Sequence, residues 1–378
     1  MSSSKKETVI ITGAAGFYGI NMTKLLVENG YKVIGLDIND GGLRLIEECG
    51  ANARKCDLFK ENLTEIFKEG DYLINIVGLF KFDAPTMPLF HINAKLVKIV
   101  MEAALKANSF KKIIHVSTVG TYGTPAKNRN SSPYADLVPY SENDPQIPDN
   151  IYSVTKYMGE KIAWRYHEKG LPIAIVRPSL IYGPENRYGI GMFLQLGSYC
   201  RNIMKGPLKY LLLAPLALPC RGGTLATFIH VEDLCRATLL IMEKDETTGE
   251  AYTVGDPHPV NTIAFMDLML RPFRLNINWR IIPLSRFLIK RYDLIFNRYT
   301  TILLEKLLNF FFKVYGWHMN YNPEEIPISI AREWIGYFKS NYYWDVRKLL
   351  KLGFRPKWNL RRGVLANTIW YKKHKWLP

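Results

Sequence analysis

Along the first 180 residues, short apolar β-branched runs alternate with longer stretches whose apolar positions recur every three or four residues. The runs predict strands over 8–12, 32–37, 72–77, 112–117 and 173–178. Their near-continuous apolar character suits strands covered by helices on both faces. The intervening periodicity predicts helices over 20–29, 43–49, 91–107 and 152–169. This alternation is the pattern of βαβ units, so the expected fold class is α/β, a doubly wound parallel sheet. After Gly183-Pro184 the alternation fades into an apolar stretch with three prolines, 192–221. A short strand at 227–231 and a helix at 232–243 lead back to the main unit. An aromatic, basic stretch over 257–345 and a last amphipathic helix follow. The predicted division is 1–184 plus 227–256 for the sheet domain. Residues 185–226 and 257–378 then form a smaller, mostly helical, substrate-binding region.

The length of 378 residues fits about two domains at ~150 residues each. A composition of 48% apolar and 22% charged residues excludes disorder, collagen and coiled coil. The longest uncharged apolar stretches, such as 210–220, fall short of the ~20 residues that span a bilayer, so no membrane-spanning helix is expected. The polar start runs straight into a strand pattern without an apolar signal segment, which points to the cytoplasm. Cys49, Cys56, Cys200, Cys220 and Cys235 are widely spaced with no C-x-x-C, and read as reduced packing residues. The seven histidines lack metal-ligand spacing, and no metal is expected.

Charge is uneven: residues 1–190 carry 23 basic and 20 acidic side chains, residues 191–378 carry 27 and 14. The excess concentrates in 271–321 and 339–378, both rich in aromatic rings. Such a surface is either a solvated basic face or one that meets anionic lipid headgroups. Nucleic acid is disfavoured, because no recognised binding motif accompanies the charge.

Candidate chemistry begins at Thr12-Gly13-Ala14-Ala15-Gly16-Phe17-Tyr18-Gly19, which follows a strand and opens a helix. The glycines permit the tight turn, the approach of a pyrophosphate and close helix packing, with helix amides facing the phosphates. Asp37 ends the second strand; a carboxylate there accepts from both ribose hydroxyls and repels a 2′-phosphate, favouring NAD over NADP. Tyr152 and Lys156 stand one helical turn apart. The ammonium would lower the phenol's pKa toward the working range of a general base. Ser117 and Thr118 place hydroxyls at a strand's carboxyl end, where doubly wound folds bind ligands.

Taken together, these motifs closely resemble the short-chain dehydrogenase/reductase family in its extended, epimerase/dehydratase branch. Thr12 to Gly19 matches its TGxxGxxG, Asp57-Leu58 its adenine-contacting Asp, 116–123 its VSSxxVYG and Tyr152 to Lys156 its YxxxK. Further matches at 177–184, 228–234 and 249–255 extend the likeness over about residues 8–256, and it resumes at 344–371. The resemblance implies a Rossmann fold that binds NAD. Tyr152 would be the acid/base, Lys156 would bind the nicotinamide ribose and tune Tyr152, and Thr118 would hold the substrate oxygen. The family usually has Ser at the Thr118 position, so Ser117 is a second candidate for that role. Contacts to NAD are implied for Gly13, Ala15, Gly16, Phe17, Tyr18, Gly19, Asp37, Asp57, Leu58, Ile76, Val77, Gly78, Asn93, Val116, Pro178 and Leu180, besides Tyr152 and Lys156.

For the substrate, nucleotide-sugar members of the family commonly carry Asn and Arg hooks where this chain has Leu180 and Ala226. Arg221 and Arg187 are the possible substitutes. The form of 177–184 looks more like the 3β-hydroxysteroid dehydrogenases, and apolar lining suits a lipid at ~25 cal/mol per Å² buried. The expectation is therefore an NAD-dependent dehydrogenase interconverting a secondary alcohol and a ketone on a sterol-like or other lipid substrate. The alternatives are a nucleotide-sugar epimerase or dehydratase with tightly bound NAD, and a non-catalytic NAD-binding protein. The resemblance also implies a homodimer through helices 93–107 and 152–169, with Tyr157, Ile162, Ala163 and Tyr166 facing the partner. Peripheral membrane contact is expected through 208–220 and 302–312, with Arg286, Lys290, Arg291, Arg298, Lys306 and Lys313 available to anionic headgroups.

Overall fold

A computed structural model of the chain describes residues 6–80, 84–123, 139–202, 224–275, 298–322, 325–326 and 341–377. Its centre is a sheet that begins with β1 (Thr8–Thr12), β2 (Lys32–Asp37), β3 (Asn52–Lys55), β4 (Tyr72–Asn75), β5 (Lys112–Val116) and β6 (Ile173–Pro178). The chain then makes three short strands, β7 (Leu180–Tyr182), β8 (Leu225–Ala226) and β9 (Phe228–His230), before β10 (Ala251–Val254) returns to the sheet. The strand order is β10-β6-β5-β4-β1-β2-β3, with every neighbouring pair parallel. The order reverses between β1 and β4, which opens a crevice at the carboxyl ends of those strands.

Alternate residues of each strand feed the two layers of the first core, one on each face of the sheet. Val9, Ile11, Ile74, Ile114 and Val176 face one layer, while Ile10, Leu73, Ile113, Ile173 and Ile175 face the other. Both sets of side chains are buried, and each contributes about 1.5–3 kcal/mol on burial. That two-sided burial is why the strands read as unbroken apolar runs. The first helices are α1 (Phe17–Glu28), α2 (Asp40–Glu48), α3 (Leu63–Phe67), α4 (Thr86–Phe90), α5 (Leu96–Ala107) and α6 (Ile151–His167). Asn39 and Asn150 cap α2 and α6 by accepting from Gly42 N and Ser153 N.

A second core joins α7 (Ile190–Asn202), α9 (Thr262–Leu270) and α12 (Leu360–Lys373) around Phe193, Phe265 and Tyr371. Between the two cores α8 (Val231–Glu243) packs on α1, and β7 pairs in parallel with β9. Antiparallel β8 and β11 (Val260–Asn261) line the second core. The described elements end with α10 (Arg298–Met319), α11 (Arg347–Lys351) and α12.

The structure departs from the sequence reading in particular places. The expected strands and helices are present with ends shifted by a few residues, but β3 was not expected: Asn-Ala-Arg-Lys is a polar edge strand with no apolar run to announce it. The single helix expected over 91–107 begins with a π-turn, His91–Lys95, before α5. Leu349 and Phe354 join the sheet-side core rather than the substrate-binding region. Ala163 and Tyr166, expected to face a partner, are buried in the chain's own core. Helical periodicity puts them on the same face of α6 as Lys156 and Glu160, the face turned toward the sheet. The stretch 208–220 lies outside the described residues, whereas 302–312 lies within α10.

Helix α6 and the π-turn meet at Gly159, where a Cβ would collide with the Asn93 carbonyl oxygen. Close packing here is possible only for glycine. Gly159→Ala is expected to cost about 1–3 kcal/mol of stability through overpacking, measured by urea unfolding of the wild-type and variant proteins.

Candidate active site

The glycine loop sits at the reversal of the sheet. Gly13 has φ +75, and a Cβ there would lie 2.8 Å from Val77 Cα, so the turns after β1 and β4 touch. A Cβ on Gly19 would strike the carbonyl oxygen of Gly13, which fixes how closely α1 approaches the turn. Gly16 is different. It caps α1 with no side-chain hydrogen bond, is exposed, and would meet nothing nearer than 3.5 Å. The protein does not fill this space, and the first-turn amides of α1 open onto it, as a pyrophosphate requires. The cradle therefore fits a dinucleotide.

Asp37 lies against this loop. Its Oδ2 accepts from Ala15 N at 3.0 Å, and Oδ1 accepts from Ile38 N at 2.7 Å and Asn39 N at 3.0 Å. Beyond β3, Leu58 is buried while Asp57 accepts from Phe59 N and pairs with Lys60 at 3.0 Å. The Lys60 ammonium, with the Phe59 amide, holds the Asp57 carboxyl below the usual carboxylate range. The Phe17 side chain is half-buried, and that of Tyr18 turns inward to a hydrogen bond with Thr238. Only the backbone of Tyr18 is thus available to a phosphate.

Across the crevice, Gly78, Asn93 and Lys156 converge. A Cβ on Gly78 would lie 3.4 Å from Asn93 Oδ1 and 3.5 Å from Lys156 Nζ. Asn93 clamps Leu79, accepting from its amide at 2.8 Å and donating to its carbonyl at 3.2 Å. Lys156 donates to the Val116 carbonyl at 2.7 Å. Burial pulls Lys156 down to about 8, against the opposing effect of the Glu160 carboxylate. At neutral pH it is still mostly an ammonium. Ile76, Val77 and Pro178 complete the strand ends along this edge, with half-buried Leu180 just beyond.

Tyr152, in the first turn of α6, is hydrogen-bonded to Thr118. Burial pushes its phenol above the usual tyrosine range, and the Thr118 hydroxyl is the group that pulls it back. The Lys156 ammonium is bound to the Val116 carbonyl, and here Thr118, not the ammonium, does the lowering. Ser117 takes no part in this. It is buried farther along the same helix face, where it helps keep the Glu160 carboxyl charged.

Two features of the site lie outside the sequence motifs. The first is a buried ion pair: Arg177 Nη2 donates to Glu160 Oε1 at 2.6 Å, and Arg177 Nη1 donates to the Tyr122 hydroxyl at 2.6 Å. Gln146 donates to both Glu160 at 3.1 Å and Thr121 at 2.8 Å. Burial opposes the Glu160 charge, but Arg177 holds its carboxyl below the usual range. The spacing of Glu160 four residues after Lys156 was the available clue. The second is an aromatic edge: the Phe80 ring meets the Tyr152 ring edge-on at 5.2 Å and the Tyr188 ring at 6.1 Å.

The suggested phosphate hooks divide. Arg187 is paired with Glu325 at 2.8 Å. Arg221 lies outside the described residues. Leu180 and Ala226 are as apolar in their setting as in the sequence.

A sheet edge that offers amides to a diphosphate, with a phenol and an ammonium beside the same crevice, is built to hold a dinucleotide and to move a proton next to it. That is the class of dinucleotide-dependent α/β enzymes. A family profile described as "NAD dependent epimerase/dehydratase family" matches residues 9–255, and the chain belongs to this family of enzymes, whose cofactor is NAD. UDP-glucuronate 4-epimerase 5 of Arabidopsis thaliana is 26% identical over 310 residues, 74% of this chain and 66% of that protein. Dihydroflavonol 4-reductase of the same plant is 26% identical over 282 residues, 69% of each chain. The chain thus spans about two thirds of the length of these relatives. The crystal structure of UDP-glucuronic acid 4-epimerase from Bacillus cereus, in complex with NAD, superposes with a TM-score of 0.65 at 18% identity. It covers 97% of this chain and 99% of that one, and shows the same fold.

Two variants separate proton transfer from architecture. Tyr152→Phe is expected to lower turnover by about 10²–10⁴-fold while NAD affinity, measured by fluorescence titration, stays near wild type. Glu160→Gln leaves Arg177 buried without a counter-charge and is expected to cost about 3–5 kcal/mol of stability, measured by urea unfolding.

Proposed function

We propose that this chain is a nucleotide-sugar epimerase or dehydratase whose substrate is oxidised at one carbon and then reduced again, at the same carbon in an epimerase or at another carbon after loss of water in a dehydratase. The observation that carries this reading is the family match together with the likeness to UDP-glucuronate 4-epimerase. NAD, when bound in the cradle at Gly16, supplies the acceptor for hydride in one direction and its donor in the other. The protein's part is the proton. Tyr152 takes it from the substrate hydroxyl as the carbinol C–H leaves with its electron pair, and in an epimerase returns it when the carbonyl is reduced. The cycle consumes no outside oxidant. Thr118 orients the same oxygen, and Lys156, seated on the Val116 carbonyl, brings positive charge to the nicotinamide end of the crevice.

A specific observation favours a second reading. Leu180 and Ala226 stand where diphosphate hooks are expected, Arg187 is occupied by Glu325, and the Phe80–Tyr188 edge offers apolar rings beside Tyr152. These features, with the likeness to dihydroflavonol 4-reductase, suit a hydrophobic alcohol or ketone such as a sterol-like lipid.

Calorimetric titration of the NAD-loaded protein with UDP-glucose, UDP-glucuronate and GDP-mannose, followed by product analysis, separates the two. Binding and conversion without net NADH are expected. Failure of all three to bind, with NADH accumulating on hydroxysteroids, overturns the first reading in favour of the second.

A further inference from the structure

Helix α10 has two apolar faces, and among the described residues only one packs inside the protein. Leu308, Phe312 and Tyr315 turn toward α7, where the Tyr199 ring lies 4.8 Å from Phe312 and 5.7 Å from Tyr315. Phe312 is fully buried there. On the opposite side, Leu303, Leu307, Phe310, Phe311, Val314 and Trp317 are all exposed, with Phe310 63% and Trp317 83% accessible. Their spacing follows the 3.6-residue period, so they form one stripe about 21 Å long at ~1.5 Å rise per residue. Single exposed apolar side chains are ordinary, but a continuous stripe of this kind marks a contact surface.

Charge says what it contacts. Lys306 and Lys313 are exposed, seven residues apart, and so stand in one column along the flank of the stripe. They lie within residues 271–321, which carry nine basic and two acidic side chains in a chain of net charge +16. A second copy of the chain would bring like charge against that flank. An anionic lipid surface brings the opposite charge, and its interface accommodates Trp and Phe at headgroup depth. Among the described residues no helix is long and apolar enough to cross a membrane. The arrangement therefore suits a helix that lies on a bilayer.

We propose that α10 is an interfacial anchor that seats the protein on an anionic membrane surface. Its stripe enters the boundary between headgroups and acyl chains, and Lys306 and Lys313 contact the headgroups. The inference is independent of the substrate the site takes.

The test is flotation of the full-length, NAD-loaded protein with phosphatidylcholine vesicles, prepared with and without phosphatidylserine, at low and high salt. Expected is binding to the phosphatidylserine vesicles that weakens with salt. It should fall at least about tenfold both in Lys306→Glu/Lys313→Glu and in Phe310→Ser/Trp317→Ser. All four positions are exposed, so the variants should keep the wild-type melting temperature. Absence of binding to phosphatidylserine vesicles at low salt overturns the proposal, as does binding that neither double variant weakens. So does a sedimentation result in which Phe310→Ser/Trp317→Ser dissociates a homodimer, which would assign the stripe to a second copy.

Discussion

The geometry of the site depends on the buried pair of Glu160 and Arg177. Arg177 belongs to β6, Glu160 to α6, and Tyr122, which also accepts from Arg177, to the turn after β5. Two charges removed from water tolerate little displacement, because any separation leaves each of them unsolvated. The fork of Arg177 therefore gives α6 a single seat against the sheet. Lys156 and Tyr152 lie one and two turns back from Glu160 on the same face. Seating Glu160 delivers Lys156 to the Val116 carbonyl and Tyr152 to Thr118. Gly159, on the adjoining strip of the helix, packs on the π-turn carrying Asn93 and secures α6 from a second direction.

Much of this was legible in the amino acids, for reasons that differ by element. Strands β1, β2, β4, β5 and β6 are buried on both faces, so their residue types alone reveal them, whereas β3 is a polar edge and does not. The glycine loop was legible because its geometry excludes side chains at Gly13 and Gly19 and leaves Gly16 open. The helical spacing of Tyr152 and Lys156 was visible, but not that burial and Thr118 would dominate the phenol. Ser117 and Thr118 are neighbours in sequence but serve different groups of α6, Glu160 and Tyr152, a distinction a string of letters does not carry. Nor does periodicity reveal the π-turn, since one residue more per turn hardly disturbs the apolar pattern.

The second layer was harder to read. Leu349 and Phe354 return to the first core from far along the chain, a contact that no local pattern encodes. In α10 the apolar positions occupy two sides of the helix, and sequence alone does not say which side the protein covers. Leu180 and Ala226 remain as apolar in three dimensions as they read in one, which keeps the question of substrate tied to the second layer rather than to the sheet.

Asp37 illustrates how recognition and architecture share atoms. The carboxylate suited to select a ribose over its 2′-phosphate also accepts from three backbone amides, at Ala15, Ile38 and Asn39. Those amides belong to the phosphate loop and to the entry of α2. Cofactor preference in this protein is therefore not an independent dial. An engineer who replaces Asp37 with a small or basic residue to welcome NADP also deprives the loop of its acceptor, and a successful redesign has to rebuild that acceptor before it can change the coenzyme.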